Sequence, residues 1–252
     1  MQIYNIFFSP TGGTKKVADI ITNVISNEYV NIDLIQDNSA LTNINFEEDD
    51  IVIVSVPSFS GRIPSVIPNM FSNAAGNKAR AILVCVYGNR AYEDTLIELK
   101  DVLESANFTC LAAVAANAEH SIMHEFGANR PDADDIAELI NYANKIKEKL
   151  DNDTYSQSID VPGNRPYKEV KKGSMLPEPT ENCINCGSCA LECPTAAISK
   201  TGELDKDKCI GCMHCITVCP MHSRKVADEI IAAATERMRP LLSSRKNNEL
   251  FI

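Results

Sequence analysis

Eight of the ten cysteines lie in one stretch, and their spacing predicts a metal centre. Each half of the stretch reads C-x-x-C-x-x-C-x-x-x-C-P: Cys183, Cys186, Cys189 and Cys193 before Pro194, then Cys209, Cys212, Cys215 and Cys219 before Pro220. Three cysteines at intervals of three can wrap a tight loop around three corners of a cubane cluster. The fourth corner needs a ligand from elsewhere, because one short loop cannot enclose all four irons. The proline prevents this turn from continuing as a helix. The stretch therefore predicts 4Fe–4S clusters.

Structural zinc and disulfide bonds are the alternative interpretations of these cysteines. Zinc sites usually pair their ligands and separate the pairs by a long gap, which this spacing lacks. Disulfides form in oxidising compartments, and the N-terminus begins with a strand pattern in place of the basic and then apolar segments of a signal peptide. The spacing favours the iron–sulfur interpretation over both.

The doubled cysteine run resembles that of bacterial two-cluster ferredoxins. This resemblance implies that the fourth cysteine of each half binds the cluster of the other half. One cluster would then be held by Cys183, Cys186, Cys189 and Cys219. The other would be held by Cys209, Cys212, Cys215 and Cys193.

A second candidate site lies near the N-terminus, where a polar loop joins a predicted strand (2–8) to a predicted helix (15–26). At such a junction the unpaired backbone N–H groups and the helix dipole favour an anion such as phosphate. The loop supplies hydroxyl donors and two glycines that let the backbone come close to a ligand. An ordinary capped turn is the alternative. The loop consists of Ser9, Pro10, Thr11, Gly12, Gly13 and Thr14.

The pattern S-x-T-G-x-T in this loop resembles the phosphate-binding loop of flavodoxins, which hold the phosphate of FMN without a basic residue. Gly13 departs from the family pattern, because many flavodoxins carry a side chain there. The loop is not a nucleotide-binding P-loop, since no Gly-Lys-Ser/Thr follows a four-residue gap. The resemblance implies an FMN site.

Strands alternate with helices through the first 150 residues. Further strands are predicted over 30–35, 50–56, 79–86 and 108–115, with helices over 65–75, 93–106 and 132–150. Such alternation predicts an α/β fold with a parallel sheet covered on both faces. We expect the doubly wound flavodoxin-like fold, with five strands in the order 2-1-3-4-5 and ligands beyond their carboxyl ends.

Two more loops at those strand ends are predicted to flank a flavin ring. Because tryptophan is absent, Phe59, Tyr87 and Tyr92 are the candidates for stacking on it. The backbone of Gly61 is expected to face the redox-active nitrogen, and Arg62 to stabilise a reduced, anionic ring. His120, after the last strand, is either a hydrogen-bonding partner or a solvated loop residue. The full predicted set is Pro57, Ser58, Phe59, Ser60, Gly61, Arg62, Tyr87, Gly88, Asn89, Arg90, Tyr92 and His120.

The domain organisation follows from these patterns. We expect a flavodoxin-like domain over 1–150, a linker over 151–176, a small α+β two-cluster ferredoxin domain over 177–225, and a C-terminal helix and tail over 226–252. The helix is expected to end near Arg237, and the tail to be extended from Pro240. Cys85 and Cys110, outside the cysteine run, are expected to be ordinary buried thiols.

The net charge of -10 excludes one class of partner and favours another. Nucleic acid needs a basic face, which is not expected here. An acidic protein suits redox partners with a basic docking surface. No apolar run is long enough to span a bilayer, so we expect a cytoplasmic protein. The sequence leaves the oligomeric state open.

The whole chain resembles the flavodoxin–ferredoxin fusion proteins of anaerobic bacteria and archaea. The resemblance implies an electron carrier that relays electrons between two 4Fe–4S clusters and FMN. The alternative is an FMN-dependent reductase of a quinone, nitro compound or free flavin. It would be fed by another protein, because no G-x-G-x-x-G nicotinamide-binding pattern follows a strand.

Overall fold

The computed structural model describes residues 1–152, 158–170, 173 and 175–252. Its first part contains five parallel strands in the order β2-β1-β3-β4-β5, which confirms the predicted flavodoxin-like fold. The central strands are almost entirely buried, as a sheet covered on both faces requires. The strands are β1 (Ile3–Phe7), β2 (Val30–Asp33), β3 (Ile51–Pro57), β4 (Arg80–Tyr87) and β5 (Thr109–Asn117).

Four helices cover the two faces of this sheet. They are α1 (Gly13–Ile25), α2 (Ile67–Phe71), α3 (Thr95–Ser105) and α4 (Ala133–Asp151), and a short 3-10 helix spans Ala40–Asn43. The apolar sides of α1 and α4 pack together on one face, and α2 and α3 pack on the other. Every loop that follows the carboxyl end of a strand therefore opens at the same edge of the sheet.

The cysteine-rich part forms a small module after the sheet. Strands β6 (Glu178–Pro179) and β7 (Arg224–Lys225) pair antiparallel and bring its two ends together. Two single-turn helices lie within it: α5 (Ser188–Leu191) carries Cys189, and α6 (His214–Thr217) carries Cys215. So little regular structure leaves the loops around the cysteines as the main framework of the module.

The C-terminal segment differs from the prediction. Helix α7 (Asp228–Leu242) continues through Pro240, and the tail then forms a strand, β8 (Glu249–Phe251), which pairs antiparallel with β5. The sheet thus has six strands where five were expected. Strand β8 covers the free edge of β5, whose backbone groups would otherwise lack partners. Three residues with weak alternation gave no local signal of this pairing.

The predicted linker lies partly outside the described residues, since 153–157, 171–172 and 174 are not described. Its described residues pack along α3. The Asp94 carboxylate accepts hydrogen bonds from the backbone N–H groups of Asn164 and Lys168, and the Ile159 N–H donates to the carbonyl of Cys110. None of the helices in the described part of the chain is long and apolar enough to cross a bilayer.

Candidate functional site

A cavity of about 680 Å³ opens at the carboxyl ends of β1, β3, β4 and β5. This volume lies within the usual range for small-molecule and cofactor pockets. Three walls come from the loops that the sequence singled out, and a fourth comes from the cysteine-rich module. The predicted residues that line the cavity are Pro10, Thr11, Gly13, Thr14, Pro57, Ser58, Phe59, Ser60, Arg62, Tyr87, Gly88 and His120.

The phosphate loop leads directly into α1. Gly12 precedes the helix with a φ of 88°, a left-handed conformation that favours glycine. The Ser9 hydroxyl oxygen accepts a hydrogen bond from the Lys15 N–H at 2.8 Å and so fixes the turn. Ser9 and Gly12 shape the loop without lining the cavity. The first-turn amides of α1 have no acceptor inside the helix, which suits them to an anion.

The second loop makes a tight turn between Phe59 and Arg62, whose backbone groups exchange hydrogen bonds at 2.8 and 3.2 Å. Ser60 and Gly61 both have positive φ, at 55° and 86°. A Cβ on Gly61 would lie 1.9 Å from the Glu93 carboxylate, so only glycine fits. Gly61 does not line the cavity. Its observed role is to make the turn that presents Phe59.

Arg62, predicted to stabilise a reduced, anionic ring, is paired with a carboxylate in the structure. Its Nε and Nη2 donate to the two carboxylate oxygens of Glu98, both at 2.6 Å, and Nη1 donates to the Lys168 carbonyl at 2.7 Å. The guanidinium also lies over the Tyr167 ring at 4.6 Å. Arg62 lines the cavity, but its charge is neutralised by Glu98. A buried carboxylate 36 residues away left no signal beside Arg62 in the sequence.

Three residues of the third predicted group lie away from the cavity. The Asn89 amide donates to the carbonyls of Leu242 and Ser244 and thereby holds the C-terminal segment. Arg90 forms a two-pronged ion pair with Glu93, at 2.8 and 2.9 Å. Tyr92 packs edge-on against Tyr87, with ring centroids 5.3 Å apart, and does not line the cavity.

The aromatic side chain of Phe59 is half-buried and lines the cavity. Tyr87 also lines the cavity, but its ring is buried and its hydroxyl donates to the carbonyl of Asn247 in the tail at 3.0 Å. Of the three predicted stacking residues, Phe59 is thus the one best placed to contact a planar ring.

His120 lies beside Gly88, where an added Cβ would come within 2.9 Å of the histidine. Its Nδ1 accepts hydrogen bonds from the N–H groups of Ile122 and Met123, each at 3.2 Å. Burial, with smaller effects from the charges of His124 and Arg90, lowers the pKa of His120 to about 4. The ring is therefore neutral at pH 7. Because Nδ1 accepts two hydrogen bonds, the proton is on Nε2, which can donate to a ligand.

The structure groups the cysteines crosswise between the two halves of the run. Residues from the first half and one cysteine from the second line a single small pocket: Cys183, Cys186, Cys189 and Cys219. In the other set, Cys212 lies near the thiols of Cys215, Cys193 and Cys209, and burial, with smaller effects from these thiols, raises its pKa to about 12. The thiols that lie near one another are therefore those that the ferredoxin resemblance groups together, and their assignment to each cluster stays a prediction.

The donor sets fit 4Fe–4S clusters. All eight cysteines are free thiols, and none forms a disulfide. Backbone N–H groups donate to their sulfurs at 3.3 to 3.4 Å, from Ala197 to Cys193, from Gly211 to Cys209 and from Ser223 to Cys219. Such hydrogen bonds are one of the means by which proteins adjust cluster potentials.

Among the described residues, no three His, Cys, Asp or Glu side chains converge on a single ion. A cubane needs no such convergence, because each thiolate binds a different iron.

The second cysteine set forms part of the cavity wall. Cys209, Cys212 and Met213 line the cavity opposite the strand loops. Next to Cys215, the Nδ1 of His214 hydrogen-bonds the carbonyl of Pro10 in the phosphate loop at 2.9 Å. Sequence reasoning missed Met213, Ile210, Thr195 and Ile122 as lining residues, because no local pattern shows where the module docks.

Several known proteins are similar in sequence to the cysteine-rich module. The NosR family profile matches residues 181–236. The chain is 41% identical over 49 residues to pyruvate synthase subunit PorD of Methanothermobacter marburgensis, and the match covers 19% of this chain and 60% of that subunit. It is 35% identical over 68 residues to ferredoxin YfhL of Escherichia coli, covering 23% of this chain and 79% of the ferredoxin.

A solved flavodoxin from the domain Archaea is similar to 60% of this chain, with 14% identity, a TM-score of 0.42 and 99% of the flavodoxin covered. The fold class of the N-terminal part rests on its own strand order.

Fold and site together define a two-part class of protein, a flavodoxin-like domain fused to a two-cluster ferredoxin module. Through that module, the chain belongs to the ferredoxin family.

Proposed function

We propose that this protein carries electrons between partner proteins and relays them internally between two 4Fe–4S clusters and FMN. This proposal rests on one observation: the same cavity is lined by the flavodoxin-like loops and by Cys209 and Cys212. Bound clusters supply one-electron steps, and FMN accepts one or two electrons. Because the two kinds of site share one cavity, the transfer distance would be short.

Different residues would bind different parts of FMN. The first-turn amides of α1 and the hydroxyls of Thr11 and Thr14 would hold the phosphate. Phe59 would contact the ring, and the Nε2–H of His120 would donate a hydrogen bond to it. The apolar side chain of Met213 would exclude water on the module side.

Electrons would be exchanged with partners beside the first cysteine set. Cys186 is exposed there, and so are three large apolar side chains: Ile184, Leu191 and Met221. The module holds acidic and basic residues in nearly equal number, so most of the negative charge lies on the flavodoxin-like domain. A basic docking surface on the partner would be steered by that charge. Free thiols and clusters suit the reducing cytoplasm.

The FMN-dependent reductase alternative requires a proton donor at the ring for its acceptor. His120 is held neutral, and its Nδ1 is occupied by two backbone amides. This arrangement favours hydrogen bonding over acid catalysis, so the carrier proposal is preferred.

The proposal is tested on protein purified without oxygen. We expect about eight irons, about eight sulfides and about one FMN per chain. FMN should also bind the flavin-free protein roughly a hundredfold or more tighter than riboflavin, because the phosphate loop would be left without its anion. Zinc in place of iron would overturn the cluster half of the proposal. Equal affinity for riboflavin and FMN would overturn the assignment of the phosphate loop.

A further inference from the structure

Arg224 is a buried arginine inside the cysteine-rich module, with 3% of its surface exposed. Its Nη1 donates to the Gly202 carbonyl at 3.0 Å and lies 3.9 Å from the sulfur of Cys189. Its Nε and Nη2 are buried and have no hydrogen-bond partner among the described residues. No carboxylate in the described part of the chain forms an ion pair with it.

A positive charge in such a place needs a compensating negative charge. Removing a guanidinium from water costs more than one hydrogen bond to a carbonyl recovers. Arginine does not lose its proton in proteins, so it cannot become neutral to avoid this cost. The negative charge must therefore come from what the neighbouring cysteines bind.

The position of Arg224 between the two cysteine sets is built into the fold. Strand β7 holds its backbone opposite Pro179 in β6. Cys189, near its Nη1, belongs to the first set. The Arg224 side chain also lies within interaction range of the Cys215 thiol, in the second set. One guanidinium thus acts on a ligand of each set.

We propose that Arg224 is a fixed countercharge, shared by the two cluster sites, that raises the reduction potential of both. Reduction adds one electron, and so one negative charge, to a site. The guanidinium stabilises that added charge more strongly than it stabilises the oxidised site, because the attraction grows with the negative charge. This inference depends on the two-cluster part of the proposed function and is independent of FMN.

The test is an anaerobic redox titration of the full chain with its clusters, monitored by electron paramagnetic resonance. Arg224→Gln removes the charge and keeps a polar side chain with hydrogen-bond donors. We expect reduction of both sites to become about tenfold less favourable, a fall of about 59 mV for one electron. Arg224→Lys keeps a charge and should show a clearly smaller fall. Lys225→Met removes a charge from the next residue, whose side chain is 53% exposed and pairs with Asp228, and should change neither potential.

Unchanged potentials in an Arg224→Gln protein with its full iron content would overturn the inference. An equal fall in the Gln and Lys variants would also overturn it, since the effect would then follow side-chain shape and not charge. If Arg224→Gln binds too little iron, Arg224→Met is titrated in its place under the same criteria. Absence of clusters from the unmodified protein would instead refute the proposed function.

Discussion

His120 shows how a short loop can set the protonation state of one side chain. The N–H groups of Ile122 and Met123 both point at Nδ1, so a second proton there would face two donors. Burial acts in the same direction and is the largest cause of the lowered pKa. The ring is therefore neutral, with its proton on Nε2.

The lowered pKa of His120 predicts a pH dependence of stability. The folded pKa of about 4 lies below the ordinary value of 6.5, so between these values the unfolded chain binds a proton that the folded chain does not. The free energy of unfolding should therefore fall as the pH is lowered through this window, by about 3 kcal/mol in total for this residue. His120→Asn keeps an acceptor for the two amides and cannot titrate. Urea unfolding at pH 7 and pH 4.5 should show a shallower fall for this variant, and parallel falls in both proteins would contradict the prediction.

The tail after α7 packs against the flavodoxin-like domain and so connects the C-terminal part of the chain to the N-terminal part. Strand β8 pairs with β5, and the buried side chain of Asn248 connects it to the rest of the domain. Its amide donates to Asp135 at 3.1 Å and to Glu138 at 2.7 Å, and its carbonyl oxygen accepts from the Asn117 N–H at 2.8 Å. The cysteine-rich module is thus held between two segments that both pack on the flavodoxin-like domain.

Asn248→Ala should lower the free energy of unfolding by about 2 to 3 kcal/mol, because it leaves the buried Asn117 N–H without its acceptor and removes one donor from each of the Asp135 and Glu138 carboxylates. Asn247→Ala is the matched control, since that side chain is exposed and only its backbone carbonyl is used, by Tyr87. The control should stay within about 0.5 kcal/mol of the unmodified protein. Urea midpoints of the three proteins give the comparison, and equal midpoints for the two variants would show that the Asn248 side chain does not stabilise the fold.

For the molecule as a whole, the proposed electron exchange between the two parts would depend on the contact between them. The bond from His214 to the Pro10 carbonyl joins the second cysteine set to the phosphate loop across 204 residues of sequence. The Nε2 of His214 is buried and lies 3.9 Å from the nearest Glu192 carboxylate oxygen. His214 therefore makes a direct contact between the module and the phosphate loop.

His214→Ala should slow electron transfer from the clusters to the flavin several-fold, because the module loses its fixed contact with the phosphate loop. Rapid photoreduction followed at flavin wavelengths measures this rate. In both proteins the rate should be independent of protein concentration, as expected for transfer within one chain. His222→Asn, an exposed histidine of the same module, should leave the rate unchanged. A rate proportional to concentration in the unmodified protein would mean that electrons pass between molecules.

Much of the site could be predicted from the sequence because its signals are local. The cysteine spacing follows from the shape of one loop around one cluster. The phosphate loop is six consecutive residues between a strand and a helix, and the buried strands are runs of apolar residues. Each of these features depends on contacts within a few residues along the chain. It can therefore be recognised from the sequence alone.

What only the tertiary structure decided depends on pairs far apart in the chain. Glu98 neutralises Arg62, the carbonyls of Leu242 and Ser244 occupy Asn89, and β8 completes the sheet beside β5. The docking of Cys209 and Met213 against the cavity is of the same kind. A charge or an amide in a sequence has many possible partners, and burial in the folded chain selects one of them. The sequence alone thus determined which ligands could be bound, and folding decided which polar side chains were left free to face them.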